Sequence, residues 1–352
     1  MRSGKAFTAT IVLPARSAKI LIIKPSSLGD IIHSLPFLDA VKRRYPKAEI
    51  HWIVAKGFED ILEGHPLVHR IWVINKDAWK KIAKVATSAL ELRSLFKELR
   101  SEKFDCAVDL QGLFRSGFIT WASSAPIRIG FDDAREGSKV FYTHMVIGGR
   151  ARDIHAVDRY LGVAALLGCD ISRVRFPLPP GKGSRTETSA AKFIPSQYAV
   201  MVPGARGPSK RWSALKFGEL ASMLPVKTVV IGSKADAVLA DKVVQASKGR
   251  AVSLAGRTGL KDMVEIIRGA KFMVCNDTGP MHIAAALGIH VFGLFGPTSA
   301  ARTGPYGNAN SIVRATIPCA PCFRKRCKTV ACMDVIEVRT VKDSIDKFLA
   351  LR

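Results

Sequence analysis

The sequence predicts an α/β protein of two doubly wound, Rossmann-like domains facing each other across a cleft, and three observations carry that reading. Apolar runs of strand length alternate with helical stretches along most of the chain. Two such series start afresh, one at Lys19 and one at Tyr198, and each opens with a strand that feeds a loop rich in Gly, Pro and Ser. Between them lies the best linker in the chain, Pro177, Pro179, Pro180, Gly181 and Gly183. A length of 352 residues exceeds one ordinary domain, and 48% apolar residues can furnish two cores. The expected domains are 19–180 and 181–338, preceded by a basic extension over 1–18 and followed by a helix over 339–352.

In the first series, Lys19 to Lys24 reads as a buried strand, and Pro25-Ser26-Ser27-Leu28-Gly29-Asp30 turns it into a helix running to about Tyr45. Strands are expected again at Ile50–Val54, Ile71–Ile74, Cys106–Leu110 and Ile127–Gly130, with helices between; the longest spans about Trp79 to Arg100. A further helix over about Asp153–Leu167 precedes the linker. The second series brings strand Tyr198–Val202, the loop Pro203 to Trp212 and a helix from Ser213. Strand Thr228–Ile231, helix Ala235–Ala246 and a helix near Lys261–Ile267 follow. Next come strand Phe272–Cys275, a helix capped by Asp277 or Thr278 with Pro280 in its first turn, and strand Ile289–Phe295. The last helix, about Val341–Leu351, has no sheet partner nearby and is expected to lie across both domains.

Lys and Arg number 54 against 29 acidic residues, a net charge of +25, which calls for an anionic partner. The charge is scattered over both halves, and only 8% of residues are aromatic, with no base-stacking signature, so nucleic acid is the weaker choice. The odd count of seven cysteines, with Cys106, Cys169 and Cys275 in or beside apolar runs, suggests a reducing compartment. Residues 1–18 are basic but their apolar run is cut by Pro14, too weak for a signal peptide, so they read as a frayed extension on a cytoplasmic protein. The uncharged stretch Thr278–Ala301 is broken by Pro280, Gly288, Gly293 and Pro297, which excludes a transmembrane helix.

The polar turn Asn276-Asp277-Thr278-Gly279 sits where a strand ends and a helix begins, a place whose free amides and positive helix end favour an anion. Asp277 repels phosphate, so it should accept hydrogen bonds from hydroxyls beside the phosphates, with His282 near the same mouth. A sugar attached to a diphosphate meets both needs.

Several motifs in this order resemble the bacterial heptosyltransferases of lipopolysaccharide core synthesis, glycosyltransferase family 9. They are Lys24 to Pro36 (Lys-Pro-Ser-Ser-Leu-Gly-Asp-Ile-Ile-His-Ser-Leu-Pro), Asp109 to Ser116 (Asp-Leu-Gln-Gly-Leu-Phe-Arg-Ser), Ala134-Arg135-Glu136 and His155 to Arg159 (His-Ala-Val-Asp-Arg). In the second half they are Pro203-Gly204-Ala205 with Ser209-Lys210-Arg211-Trp212, and Asp277-Thr278-Gly279-Pro280-Met281-His282 with Phe295-Gly296-Pro297-Thr298. The first four look most like heptosyltransferase I, and the Pro203–Trp212 loop looks closer to heptosyltransferase II.

The resemblance implies a GT-B fold with the acceptor on the first domain and the nucleotide sugar on the second. It implies Asp30 as general base, taking the acceptor hydroxyl's proton as that oxygen attacks the anomeric carbon with inversion. Lys210 matches the family lysine facing the diphosphate. The sequence has no Asp-x-Asp metal motif, and a fixed ammonium aided by helix N-termini can neutralise a leaving diphosphate without metal or cofactor. Ser209, Lys210, Asp277, Thr278, Gly279 and His282 are then donor-binding. Arg70, Arg115, Arg135, His155 and Arg159 resemble positions used for an anionic sugar and phosphate, which suits the arginine fork. The expected activity is transfer of heptose from ADP-heptose to the Kdo-bearing lipid A inner core, with a basic surface holding the protein peripherally on the inner face of the inner membrane.

Two other readings stand beside this one: a family 9 transferase with another sugar or acceptor, and a non-catalytic basic protein that binds nucleotide sugar or nucleic acid. Cys319, Cys322, Cys327 and Cys332 have a spacing that could ligate zinc or an iron–sulfur cluster yet matches neither common pattern, with reduced thiols or a reversible disulfide as the alternative.

Overall fold

A computed structural model describes residues 10–14, 17–75, 85–147, 154–179, 193–307 and 310–351 of the chain. It divides into two compact units, Met1–Pro179 and Pro180–Arg352. Pro180, Gly181 and Gly183 of the expected linker, and residues 1–9 of the expected extension, lie outside the described residues.

The first unit holds strands β1 (Lys19–Ile23), β2 (Glu49–Ala55), β3 (Arg70–Ile74), β4 (Cys106–Asp109), β5 (Ile127–Phe131) and β6 (His144–Val146). Its helices are α1 (Leu28–Arg44), α2 (Val85–Ser101), α3 (Phe114–Ala122) and α4 (Ala156–Leu166). All strands pair in parallel in the order β3-β2-β1-β4-β5-β6. The central strands are buried on both faces, which is why they read as unbroken apolar runs. The start of the helix expected over 79–100 lies outside the described residues; its described part begins at Val85.

The second unit repeats this plan with β7 (Tyr198–Val202), β8 (Lys227–Val230), β9 (Ala251–Ser253), β10 (Phe272–Asn276), β11 (His290–Phe295) and β12 (Ser311–Arg314). Helices α5 (Ala214–Met223), α6 (Ala237–Ala246), α7 (Leu260–Arg268) and α8 (Gly279–Ala286) alternate with them. The order β12-β11-β10-β7-β8-β9 is the same winding read from the other edge. In each unit the first strand feeds one way and the fourth the other, so the crevice for a ligand lies at the carboxyl ends of β1 and β4, and of β7 and β10.

Three expectations need correction. Strands β6, β9 and β12 were not anticipated, because they are three- or four-residue edge strands whose partial exposure leaves no apolar run to read. The extension is not frayed where it is described: the Ile11 N–H donates to the Leu166 carbonyl at 2.8 Å, and Leu13 is buried. The C-terminal helix, Val338–Ala350, does have a sheet partner. Its apolar face puts Val338, Val341 and Ile345 into the core of the second unit with Phe272, Phe292 and Trp212, because this stripe covers the flank of β11 and β12 beside α5.

Candidate active site

In the first unit, Asp30 occupies the opening turn of α1, directly after β1. One of its carboxylate oxygens accepts from the Ser27 amide at 2.9 Å and the Ser27 hydroxyl at 2.8 Å, so the group caps its own helix while holding a fixed direction. Beneath it lies Lys24, a residue with no role in the sequence reading. Its ammonium is buried at 2% exposure, donates to the Leu110 carbonyl at 3.0 Å and stands 4.9 Å from the centre of the Tyr160 ring. Burial works against its charge, but Tyr160, Asp30 and Asp109 outweigh burial and hold its pKa above the ordinary lysine value. Burial pushes the Tyr160 phenol up as well. A charged residue closing an apolar strand was the available signal.

Asp109 organises the neighbouring loop. Fully buried, it accepts from Tyr142 at 2.6 Å, Ser116 at 2.8 Å and the amides of Gln111 and Gly112 at 2.8 and 3.0 Å. Burial raises its pKa despite those four donors. The β5 loop joins it through the Arg135 amide, which donates to the Gly112 carbonyl at 2.9 Å.

The five acceptor candidates are not equivalent. Arg115, Arg135, His155 and Arg159 all follow the carboxyl ends of strands, the side on which Asp30 lies. Arg115 and Arg135 are exposed. The Nδ1 atom of His155 accepts from the Val157 amide at 3.1 Å, capping α4, and its ring stands edge-on to that of His33 at 5.1 Å. Arg159 spreads its fork over Asp133, with one bond at 2.7 Å, and packs 4.0 Å from the centre of the Phe131 ring. Arg70 is a correction: it begins β3 at the opposite, amino end of the sheet, bonded to Glu102 at 2.8 Å, near Glu98 and stacked 3.8 Å over Trp72. The resemblance identified a residue type, but its place just before the expected strand Ile71–Ile74 already put it at the amino end of a parallel sheet.

In the second unit, Lys210 and Asp277 come together at 2.6 Å, from the loop after β7 and the end of β10. Asp277 is 7% exposed and the Lys210 side chain 31%, so the pair sits at a mouth with its carboxylate inward. Asn276 sets that geometry. Its side-chain oxygen accepts from the Trp212 amide at 3.0 Å and its amide donates to the Pro203 carbonyl at 2.8 Å, pinning both ends of the Pro203–Trp212 loop to β10. Thr278 is extended at the N-cap of α8, Gly279 is the first helical residue, and His282 is buried one turn on. Ser209 is a second correction: it is buried, and its hydroxyl donates to the Arg324 carbonyl at 2.8 Å, so it ties the loop to the cysteine segment rather than facing a ligand. Asp236, absent from the sequence reading, lies against Gly204, where an added Cβ would stand 2.5 Å from its carboxyl carbon.

All four C-terminal cysteines are free thiols, with Cys319 and Cys327 exposed and Cys332 buried. Burial, followed by the neighbouring Cys322, Cys319 and Cys327, raises the Cys332 pKa, whereas amide hydrogen bonds led by Val330 lower that of Cys327. Among the described residues, the set whose ligand atoms lie within 4.8 Å of one another is instead Glu49, His51 and His69. There the Trp72 indole donates to His51 Nδ1 at 3.2 Å, which leaves the proton on Nε2 and makes that nitrogen a donor rather than a ligand.

Comparison with known proteins completes the picture. Residues 92–332 match the model of glycosyltransferase family 9 (heptosyltransferase). The chain is 31% identical over 321 residues to lipopolysaccharide heptosyltransferase 1 of Pseudomonas aeruginosa, covering 88% of this chain and 87% of the relative. Among solved structures it resembles the ADP-heptose lipopolysaccharide heptosyltransferase II of Escherichia coli, with a TM-score of 0.78 at 24% identity over 95% of this chain and 99% of that one. It also resembles the E. coli heptosyltransferase WaaC with ADP, with a TM-score of 0.76 at 24% identity over 94% and 99%. These likenesses extend over both units and share the GT-B fold. The chain therefore belongs to glycosyltransferase family 9, the heptosyltransferases.

Proposed function

We propose that this enzyme transfers heptose from ADP-heptose to the Kdo-bearing lipid A inner core during lipopolysaccharide synthesis, inverting the anomeric centre without a metal. The observation that carries the reading is the convergence of Lys210 and Asp277 at the crevice of the second sheet, beside the first turn of α8. An ammonium with three N–H donors, one taken by Asp277, keeps donors for a diphosphate. The amides of Thr278 and Gly279 and the positive end of α8 add to it. As the bond from the anomeric carbon to the phosphate oxygen breaks, charge collects on the departing ADP, and these groups stabilise it. Asp277 serves the hydroxyls of the sugar.

Asp30 takes the proton from the acceptor hydroxyl as its oxygen forms the new bond. Ser27 aims the carboxylate, which stands above the buried Lys24 ammonium. Arg115, Arg135 and His155 receive the anionic acceptor, and Arg159, held by Asp133, keeps that wall in place. The lipid anchor of the acceptor and the net charge of +25 support peripheral association with an anionic membrane surface. No helix among the described residues is long and apolar enough to cross a membrane.

The test is turnover with purified ADP-heptose and defined Kdo-lipid A acceptors, with and without chelator. Transfer of one heptose, with the anomeric configuration inverted and no loss in chelator, is the expected result. Failure with this acceptor but turnover with a heptosylated one points to a later step, and strict metal dependence overturns the role given to Lys210.

A further inference from the structure

Helix α3 is built inside out. Its inward face carries Ser116, Gly117, Ile119, Thr120 and Ala122, small or hydroxylated side chains apart from one isoleucine, whereas Phe114 and Trp121 point outward and Phe118, half-buried, meets Phe96 of α2 edge-on at 5.5 Å. Phe114 and Trp121 are 48% and 47% exposed, so about half of each ring system faces water. A surface helix ordinarily shows the opposite arrangement.

The outward rings are organised. Phe118 lies between Phe114 and Trp121, nearly parallel to both, with centroids at 6.3 and 5.5 Å. Phe141 closes the ladder from the side, at 5.4 Å from Phe114 and 5.9 Å from Phe118. This requires the 138–141 turn to lie directly on α3, and Gly117 permits it: a Cβ there would stand 2.8 Å from the Phe141 ring. The same turn presents Val140 at 80% exposure. The ladder is thus a rigid apolar ridge, pre-ordered before it meets a partner.

Cations surround it. Arg115 follows Phe114, Lys139 precedes Val140, and both are exposed. Arg100 is fixed at the far end by its bond to the Ala122 carbonyl at 3.2 Å, beside Trp121. Helix α3 itself carries no acid, and Glu136, in the loop after β5, accepts from the Phe114 amide at 3.2 Å.

We propose that this face of α3 and the 138–141 turn docks on an anionic lipid bilayer, with Phe114, Trp121 and Val140 entering the interface and Arg100, Arg115 and Lys139 pairing with lipid phosphates. The inference rests on the membrane reading above and gives it a place in the fold. Aromatic rings with polar or cationic neighbours favour the headgroup level, where ring faces leave water and cations keep it. A partner protein would satisfy the rings without needing the cationic rim; an anionic bilayer uses both. Arg115, one of the residues given to the acceptor above, stands in the first turn of α3, so docking here brings it to the lipid surface.

The experiment is flotation of nuclease-treated protein with phosphatidylcholine vesicles, with and without phosphatidylglycerol, and no acceptor present. The wild type should bind only the anionic vesicles. Phe114→Ser/Trp121→Ser should bind about tenfold more weakly, since two half-exposed rings lose their burial. Lys139→Glu should weaken binding at low salt. Val238→Ser, at an apolar position of the second unit that is 68% exposed, should change nothing. Circular dichroism should show every variant folded, because the altered side chains are exposed. Unchanged binding of the double variant overturns the proposal, as does a wild-type dimer in sedimentation velocity that the double variant dissolves, which would assign the ridge to a second copy. ADP binding, measured by calorimetry without vesicles, reports separately on the transfer reading.

Discussion

Two carboxylates at strand ends each stand near an ammonium but differ in burial, Asp30 half-buried and Asp277 nearly buried. Asp30 is held by Ser27 above a buried ammonium, an arrangement that fixes its direction. Asp30→Asn should lower turnover by about a hundred- to ten-thousand-fold while ADP binding in calorimetry stays near the wild-type value. Near-normal turnover would remove Asp30 from the chemistry. Asp277 is nearly buried and leans on Lys210. Lys210→Ala leaves that carboxylate unpaired, so donor binding and thermal stability should both fall, the latter by about 1–3 kcal/mol. Adding Asp277→Asn should recover part of the stability and none of the turnover. A double-mutant cycle showing simple additivity in stability would mean the pair is not coupled.

At the scale of elements, each unit places its loops by winding the sheet outward from a central strand. Asn276 stitches the two loops of the second crevice, and Asp109 does the same in the first with four donors. The C-terminal helix is part of this scaffold through Val338, Val341 and Ile345. Ile345→Ala should therefore destabilise the second unit by about 2–5 kcal/mol, since a fully buried branched side chain leaves a cavity. The check is chemical denaturation. A loss under about 0.5 kcal/mol would show the helix to be a loose appendage.

Across the whole molecule, acid should act first on the first unit. His51 is 1% exposed on β2, and burial, reinforced by His69 and Lys19 and opposed by Glu102 and Glu49, holds its pKa down to about 4. Unfolding releases it to near 6.5, so the unfolded chain binds the extra proton between those values. Stability is then full above about pH 6.5 and falls as pH drops toward about 4, by about 3 kcal/mol in total from this group. His51→Gln should flatten that part of the profile of melting temperature against pH. An unchanged slope would mean that other groups control it.

The residue types and their order along the chain determined the winding and the loops. Parallel strands buried on both faces must be continuous apolar runs, and the polar residues that end them must stand at the crevice, so Asp277 could be placed there with no coordinates, whereas Asp30 and Lys210 took their roles from the family resemblance. Three of the four edge strands, β6, β9 and β12, escaped because they are only three or four residues long and partly exposed, which erases that pattern. The partnerships also had no local trace. Lys24 reaches Leu110 across 86 positions and Lys210 reaches Asp277 across 67, and periodicity does not report on such distances. Only the tertiary structure occupied Arg70 with Glu102 and Arg159 with Asp133, turned Ser209 away from the crevice and left Phe114 and Trp121 of α3 facing outward. A sequence specifies which side chains a strand or helix carries; which of them meet depends on how elements distant in the chain pack and which way their strands run.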